Sequence, residues 1–217
     1  LMGGWSSNNK YSMLGAIRSA AQMISYEIPM ALSILAIATL SQSLSMNKII
    51  ELQAGGFWNW NILGGSGPFL KVLFIPFLLV LFLIYFIGSL AETNRTPFDI
   101  PEGESEIVGG YHTEYSGMKF AMFFFAEYSN MFVVSALVTI MFFGGWQSPF
   151  GNFLNDPISQ TLWFIIKAMF FVFVQIWLRW TLPRVRVDQL MYITWKVMLP
   201  FAFVAFLGVA LWSMLKP

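Results

Sequence analysis

FLKVLFIPFLLVLFLIYFIGSLA, residues 69–91, decides the class of this fold. It exceeds the roughly 20 mostly apolar residues that an α-helix needs to cross a bilayer, and Lys71 near its start is its only charge. Four further stretches have the same character: residues 28–46, 118–145, 158–178 and 197–215. A weakly polar run at 12–27 extends the first of them toward one surface. The sequence therefore predicts an all-α, polytopic membrane helix bundle of five transmembrane helices, some of them kinked or tilted.

The composition of the 217 residues agrees with a membrane protein and excludes several kinds of site. It is 57% hydrophobic and only 11% charged, whereas soluble domains carry roughly 25% charged residues. With no Cys and one His, the chain lacks ligands for iron–sulfur clusters or bis-histidine haems. No nucleotide-binding glycine motif occurs, and a net charge of +1 argues against nucleic acid as a partner. We expect no metal site and no cofactor bound covalently or by metal ligation.

The distribution of Lys and Arg predicts the orientation of the spans, because cytoplasmic loops carry an excess of both. One side would hold eight of them: Lys10, Arg18, Arg95, Lys119, Arg179, Arg184, Arg186 and Lys196. The other side would hold three: Lys48, Lys71 and Lys216. The amino end and the connection between the second and third spans are therefore expected on the cytoplasmic side, and the carboxyl end outside.

That inner connection is unusually acidic. Its six carboxylates accompany a single Arg, Arg95, and are Glu92, Asp99, Glu102, Glu104, Glu106 and Glu114. Interacting carboxylates titrate collectively, which suits a site where charge and protons change together. Two simpler interpretations remain open. Asp99 could belong to a capping box begun by Thr96 and Pro97, and the other carboxylates could form a solvated acidic face.

Two ionisable residues fall well inside predicted spans, where a charge costs about 2.5–3.5 kcal/mol. Glu127 lies roughly 13 Å along its helix, which favours a proton relay over a structural carboxyl. Lys167 needs an internal partner that the sequence does not identify. Glu27 lies nearer the inner surface and is either a relay group or an interfacial residue. His112 could relay protons, although a lone loop histidine is more often a surface residue.

Several long motifs resemble one known family. They are GWSSNNKY at 4–11, SYE at 25–27, AETNRTPFDIPEGESE at 91–106, AEY at 126–128 and RWTLPR at 179–184. Over nearly its whole length, this chain is similar to the H family of membrane subunits of proton-pumping NADH:quinone oxidoreductase, respiratory complex I. Members have eight spanning helices. The resemblance implies that residues 1–217 form a single membrane domain, a fragment lacking about three amino-terminal helices.

The resemblance also implies a function and a set of residues. The family forms much of a chamber in which quinone, the substrate, is reduced by an iron–sulfur subunit. The chain would then be a subunit without a redox centre, with no catalytic residue of its own and inactive alone. Its partners would be other membrane and peripheral-arm subunits and lipid, in an energy-coupling membrane such as the bacterial inner membrane. The implied chamber or coupling-loop residues are Glu92, Arg95, Asp99, Glu102, Glu104, Glu106, Glu114, Arg179 and Arg184, and the implied proton relay is Glu27 and Glu127.

Three other functions remain open. Homologous subunits serve membrane-bound hydrogenases and plastoquinone-reducing complexes, and only the soluble partner distinguishes these from complex I. An ion-transporter subunit would use Glu127 and Lys167 in a conduction path, but the inverted repeats common among transporters are not evident in the five spans. A purely structural anchor would leave the buried Glu127 without a role. Arg179, Arg184 and Arg186 also satisfy the positive-inside rule without any further function.

Overall fold

The computed structural model describes residues 1–65, 71–100, 109–151 and 156–215, and in these the regular structure is helical. The helices are α1 (Met2–Ser6), α2 (Lys10–Ser41), α3 (Met46–Leu52), α4 (Lys71–Glu92), α5 (Met118–Phe142), α6 (Pro157–Thr181), α7 (Val187–Tyr192) and α8 (Leu199–Leu215). A π-helical segment, Ile193–Met198, joins α7 to α8. Short 3₁₀ turns lie at Phe57–Asn59, Asn61–Leu63 and Gly110–His112.

Five helices are long and apolar enough to cross a membrane: Lys10–Ser41, Val72–Glu92, Met118–Phe142, Pro157–Thr181 and Val187–Met214. This confirms the predicted polytopic helical bundle. The polar run at 12–27 does extend the first span, and Asn9 caps it by accepting a hydrogen bond from the Tyr11 N–H at 3.1 Å.

Several predicted span boundaries were wrong. The first span ends at Ser41 instead of residue 46, because Gln42 takes a left-handed conformation with φ 51°. The third ends at Phe142 instead of residue 145, where Gly144 and Gly145 have φ of 72° and 54° and turn the chain. The last begins at Val187, ten residues earlier than expected, because the helix continues through the π-helical segment. Hydropathy locates the apolar centre of a helix but does not report these polar or irregular ends.

The core forms where α2, α4 and α8 pack against one another, with α5 against α4 and α6 against α5. Its buried residues include Ile37 of α2, Leu81 of α4, Phe142 of α5 and Val209 of α8. Aromatic rings fill the space between these helices; Phe74 and Trp212 stack at 4.8 Å between ring centres. Most large side chains of α6 are exposed, as expected of a helix facing lipid or another subunit.

The connection after α4 folds back against the bundle instead of projecting from it. The Gln22 side chain of α2 donates to the Ala91 carbonyl at 2.7 Å and to the Phe98 carbonyl at 2.9 Å. The Val185 N–H, after α6, donates to the Pro97 carbonyl at 3.0 Å. Residues 96–100 form turns, with a cis peptide bond before Pro97. The capping-box interpretation of Asp99 was therefore wrong, because this segment bonds to neighbouring elements instead of starting a helix.

Candidate functional site

Glu127 lies at the centre of a buried polar cluster. It follows Met118, the first residue of α5, by nine positions, and its side chain is 10% exposed. Three groups converge on its carboxylate. Arg95 Nη2 lies 3.3 Å from Oε2, His112 Nε2 lies 3.9 Å from Oε1, and the Tyr111 hydroxyl donates to Oε1 at 3.0 Å. We call these four residues the Glu127 cluster. The predicted position of Glu127, nine residues after the start of the third span, is confirmed.

Arg95 is the cation of this cluster and is only 3% exposed. Its guanidinium carbon lies 4.4 Å from the ring centre of Tyr128 and 5.9 Å from that of Phe124. A buried charge must be paired to be tolerated, and a planar guanidinium can stack on an aromatic ring while it faces a carboxylate. Tyr128, the residue after Glu127, thus provides the aromatic ring against which Arg95 packs.

His112 is also buried in the cluster, so the surface interpretation of this histidine was wrong. It ends the 3₁₀ turn Gly110–His112. Its ring packs edge-on against Phe120 and Phe123, with ring centres 5.3 Å apart in each case. The 3₁₀ turn therefore packs against aromatic residues near the start of α5. No local sequence pattern predicts such a contact.

A second pair of carboxylates lies nearby, at the junction of α2 and α4. Glu27 and Glu92 line one cavity of about 150 Å³, together with Tyr26 and Gly88. The Asn130 side chain of α5 lies close to the Glu92 carboxyl. Since Asn130 follows Glu127 by three residues, both project from the same face of the helix. Asn130 therefore lies between the Glu127 cluster and the Glu27–Glu92 cavity.

The remaining predicted site residues are more scattered. Glu114 is exposed and accepts a hydrogen bond from the Asn9 side chain at 2.7 Å, which ties the loop to the start of α2. Asp99 is half-buried in the turn after Arg95. Glu102, Glu104 and Glu106 lie outside the described residues.

The two arginines at the connection between α6 and α7 differ in their contacts. Arg179 lies in the last turn of α6, where a cation favours the helix dipole. Arg184 is half-buried, and its Nη2 lies 3.5 Å from the Ile100 carbonyl oxygen, the outer limit of a hydrogen bond. Arg184 thus lies beside the acidic connection, whereas Arg179 belongs to the helix before it.

Sequence reasoning missed Tyr111 and Asn130. The i, i+3 spacing of Asn130 from Glu127 was a signal that could have found it. Tyr111 had none, because its role depends on the fold of the loop. Among the described residues, no group of three His, Asp or Glu side chains is arranged to hold a metal ion.

The bundle and the Glu127 cluster define a class: a polytopic helical membrane protein with a buried carboxylate, guanidinium and imidazole near one end of its spans. A family model described as NADH dehydrogenase matches residues 1–210. The chain belongs to this NADH dehydrogenase family.

Individual relatives carry a more specific description, the H subunit of NADH-quinone oxidoreductase. The chain is 53% identical to that protein of Chlorobaculum tepidum, over 98% of this chain and 59% of the relative. It is 45% identical to that of Ruthia magnifica, over 100% of this chain and 58% of the relative. It is 43% identical to that of Anaeromyxobacter dehalogenans, over 99% and 54% respectively. The chain thus spans less than two thirds of the length of these relatives.

Proposed function

We propose that this chain is the quinone-chamber-forming membrane subunit of a proton-translocating NADH:quinone oxidoreductase, and that it couples quinone reduction to proton movement. The observation that carries the proposal is the Glu127 cluster, a buried carboxylate inside a spanning helix with a cation and an imidazole from the acidic connection. The names of the relatives support the same reaction. The acidic connection then lies on the cytoplasmic side, against the peripheral arm.

In this proposal the chain provides groups that transfer protons, and partner subunits transfer the electrons. Quinone takes up two electrons and two protons to become a quinol, and an iron–sulfur cluster of a partner subunit supplies the electrons. The chain has no Cys and one His, so it contributes groups that hold protons and not a redox centre, and it is inactive alone. The carboxylates and arginines of the two inner connections, Glu92 to Glu114 with Arg179 and Arg184, form part of the chamber.

The geometry suits coupling because the charges of the cluster depend on one another. A proton on Glu127 removes its negative charge and leaves the buried Arg95 without its counter-ion. In a medium of low dielectric constant this change alters the field on neighbouring carboxylates. Through Asn130, Glu92 and Glu27 are the next groups to respond. Glu127 and Glu27 are therefore the proposed proton relay.

The decisive experiment compares Glu127→Gln with Glu127→Asp in the assembled complex. Gln keeps the shape and most hydrogen bonds but cannot exchange a proton, whereas Asp keeps a titratable carboxyl. We expect Gln to lower the coupled NADH oxidation rate about tenfold or more, and Asp to lower it less. Proton uptake per NADH oxidised is measured in sealed vesicles, with subunit composition as the check on assembly.

Glu51→Gln provides a matched control, because Glu51 is exposed in α3, away from the inner connections. It should leave rate and stoichiometry unchanged. Wild-type rate and stoichiometry in Glu127→Gln, with full assembly, would make Glu127 a structural carboxyl and remove the main support for the relay.

A further inference from the structure

The outer end of α5, opposite the Glu127 cluster, contains an unusual arrangement of backbone carbonyls. The last four carbonyls of any α-helix lack partners within the helix, and within a membrane an unpaired carbonyl is costly. Two of them are satisfied by side-chain amides. The Ile140 carbonyl accepts from Gln53 Nε2 at 3.1 Å, and the Met141 carbonyl accepts from Asn61 Nδ2 at 2.8 Å.

Three of the carbonyls that follow the end of the helix bind one ammonium group. Lys167 of α6 donates from Nζ to the carbonyl oxygens of Phe143 at 2.9 Å, Gly145 at 3.1 Å and Gln147 at 2.7 Å. The Trp60 ring lies on another side, its centre 4.6 Å from Nζ. An ammonium has three donors, so three carbonyls satisfy it completely.

This environment differs from that of an ordinary lysine inside a spanning helix, although Lys167 is only half-buried. Among the described residues, the salt bridges involve Arg95 and His112 and not Lys167. The charge is balanced by carbonyl dipoles at a helix carboxyl end, which attract cations, and by the aromatic face. Rings of backbone carbonyls are also how proteins replace the hydration shell of a monovalent cation.

The turns at Gly144 and Gly145 help to create the cage. A Cβ on Gly144 would lie 2.7 Å from Trp60 Nε1, and one on Gly145 would lie 2.7 Å from Ile50 Cδ1. Both residues also have positive φ. Glycine at these positions lets the chain turn tightly enough for the Phe143, Gly145 and Gln147 carbonyls to face one point.

We infer that the outer end of α5 is a monovalent-cation site built from backbone carbonyls, and that the ammonium of Lys167 occupies it as a tethered cation. Lys167 is then a positioning residue. It holds the outer end of the helix that carries Glu127 and carries no protons itself. The inference does not depend on quinone chemistry.

Removal and replacement of the cation test the inference. In the assembled complex, Lys167→Ala should raise amide hydrogen exchange of residues 143–147 about tenfold, because the carbonyls lose their shared donor. Added methylammonium is small enough to enter the space that the deleted side chain leaves and can donate to the same carbonyls, so it should restore slow exchange. Tetramethylammonium at the same concentration has no N–H donor and should not restore it. Lys119→Ala, which removes an exposed lysine from the first turn of α5, is the matched control and should change nothing.

A second variant covers the case in which the shortened side chain prevents assembly. Lys167→Met keeps most of the volume without the charge, and it should show the same faster exchange with an unchanged number of protons per NADH. Unchanged exchange in both variants would overturn the inference. Lost proton translocation with wild-type exchange in Lys167→Met would also overturn it, because Lys167 would then be a proton carrier.

Discussion

At the scale of single residues, the contact between Arg95 and Glu127 dominates the candidate site. Both side chains are at least nine-tenths buried, and removing one partner of a buried ion pair costs about 3–5 kcal/mol. The guanidinium also stacks on Tyr128, which an ammonium group cannot do in the same planar way. We therefore expect the site to need arginine, and not merely a positive charge.

Arg95→Ala should strongly depress quinone reductase activity while the complex still assembles, because Glu127 loses its cation. Arg95→Lys restores the charge but not the stacked geometry, so its activity should lie between those of Arg95→Ala and the wild type. Turnover with a soluble quinone analogue measures both, and blue-native electrophoresis measures assembly.

Lys48→Ala, which removes an exposed lysine from α3 on the opposite side of the bundle, is the control. It should change neither turnover nor assembly. Full activity in an assembled Arg95→Ala complex would exclude Arg95 from the coupling chemistry. Arg95→Lys activity equal to wild type would show that charge alone suffices.

At the scale of the elements, one buried amide connects α2 to the acidic connection. Gln22 is 1% exposed, and it bonds the carbonyls of Ala91 and Phe98 on either side of Arg95. This amide fixes both flanks of the segment that presents the guanidinium to α5. The polar amino-terminal half of α2 is therefore part of the site, although only Glu27 on this helix was predicted.

Gln22→Leu should destabilise the protein by about 1–3 kcal/mol for each carbonyl left without a partner, and it should lower activity by loosening the segment around Arg95. Thermal unfolding of the solubilised complex and hydrogen exchange of residues 91–100 measure the two effects. Ile24→Leu, an exposed change on the same helix, should affect neither. Unaltered exchange at 91–100 in Gln22→Leu would show that other contacts hold this segment.

At the scale of the whole molecule, the two sites with charged side chains occupy opposite parts of α5. The Glu127 cluster lies in its amino-terminal half, and the carbonyls bound by Lys167 begin at Phe143, roughly 24 Å further along at 1.5 Å per residue. Each site is satisfied by its own neighbours. This separation gives no support to a single conduction path through Glu127 and Lys167, as the ion-transporter interpretation requires.

Residues 1–217 should contribute neither a haem or flavin absorption band nor stoichiometric iron when the chain is purified, because they contain no cysteine and one histidine, and that histidine lies 3.9 Å from Glu127. Optical spectra and iron analysis measure this. A stoichiometric haem or cluster would contradict the assignment of all electron transfer to partner subunits.

Co-purification identifies the complex to which the subunit belongs. We expect a flavoprotein with NADH-oxidising activity among the soluble proteins that remain bound after mild solubilisation. A nickel–iron hydrogenase in its place would assign the chain to the hydrogenase branch. A chain purified after stripping its partners with stronger detergent serves as the control.

The sequence alone determined the class of the protein, the number of its spans and the position of Glu127 along its helix, because hydropathy and helical rise are properties of consecutive residues. It also marked the connection at 92–115 as unusual through its charge. The motifs at 4–11, 91–106 and 126–128 were long enough to indicate the family.

Only the tertiary structure decided which groups meet. Arg95 lies 32 residues before Glu127, and His112 precedes it by 15; they reach it because the connection folds back onto the bundle. The partners of Lys167 are backbone carbonyls. Every residue has a carbonyl, so the sequence does not indicate which of them bind the lysine. Span ends were likewise set by turns at Gln42 and Gly144 instead of by hydropathy. Periodicity describes one helix at a time, whereas partners come from whichever elements the packing brings together.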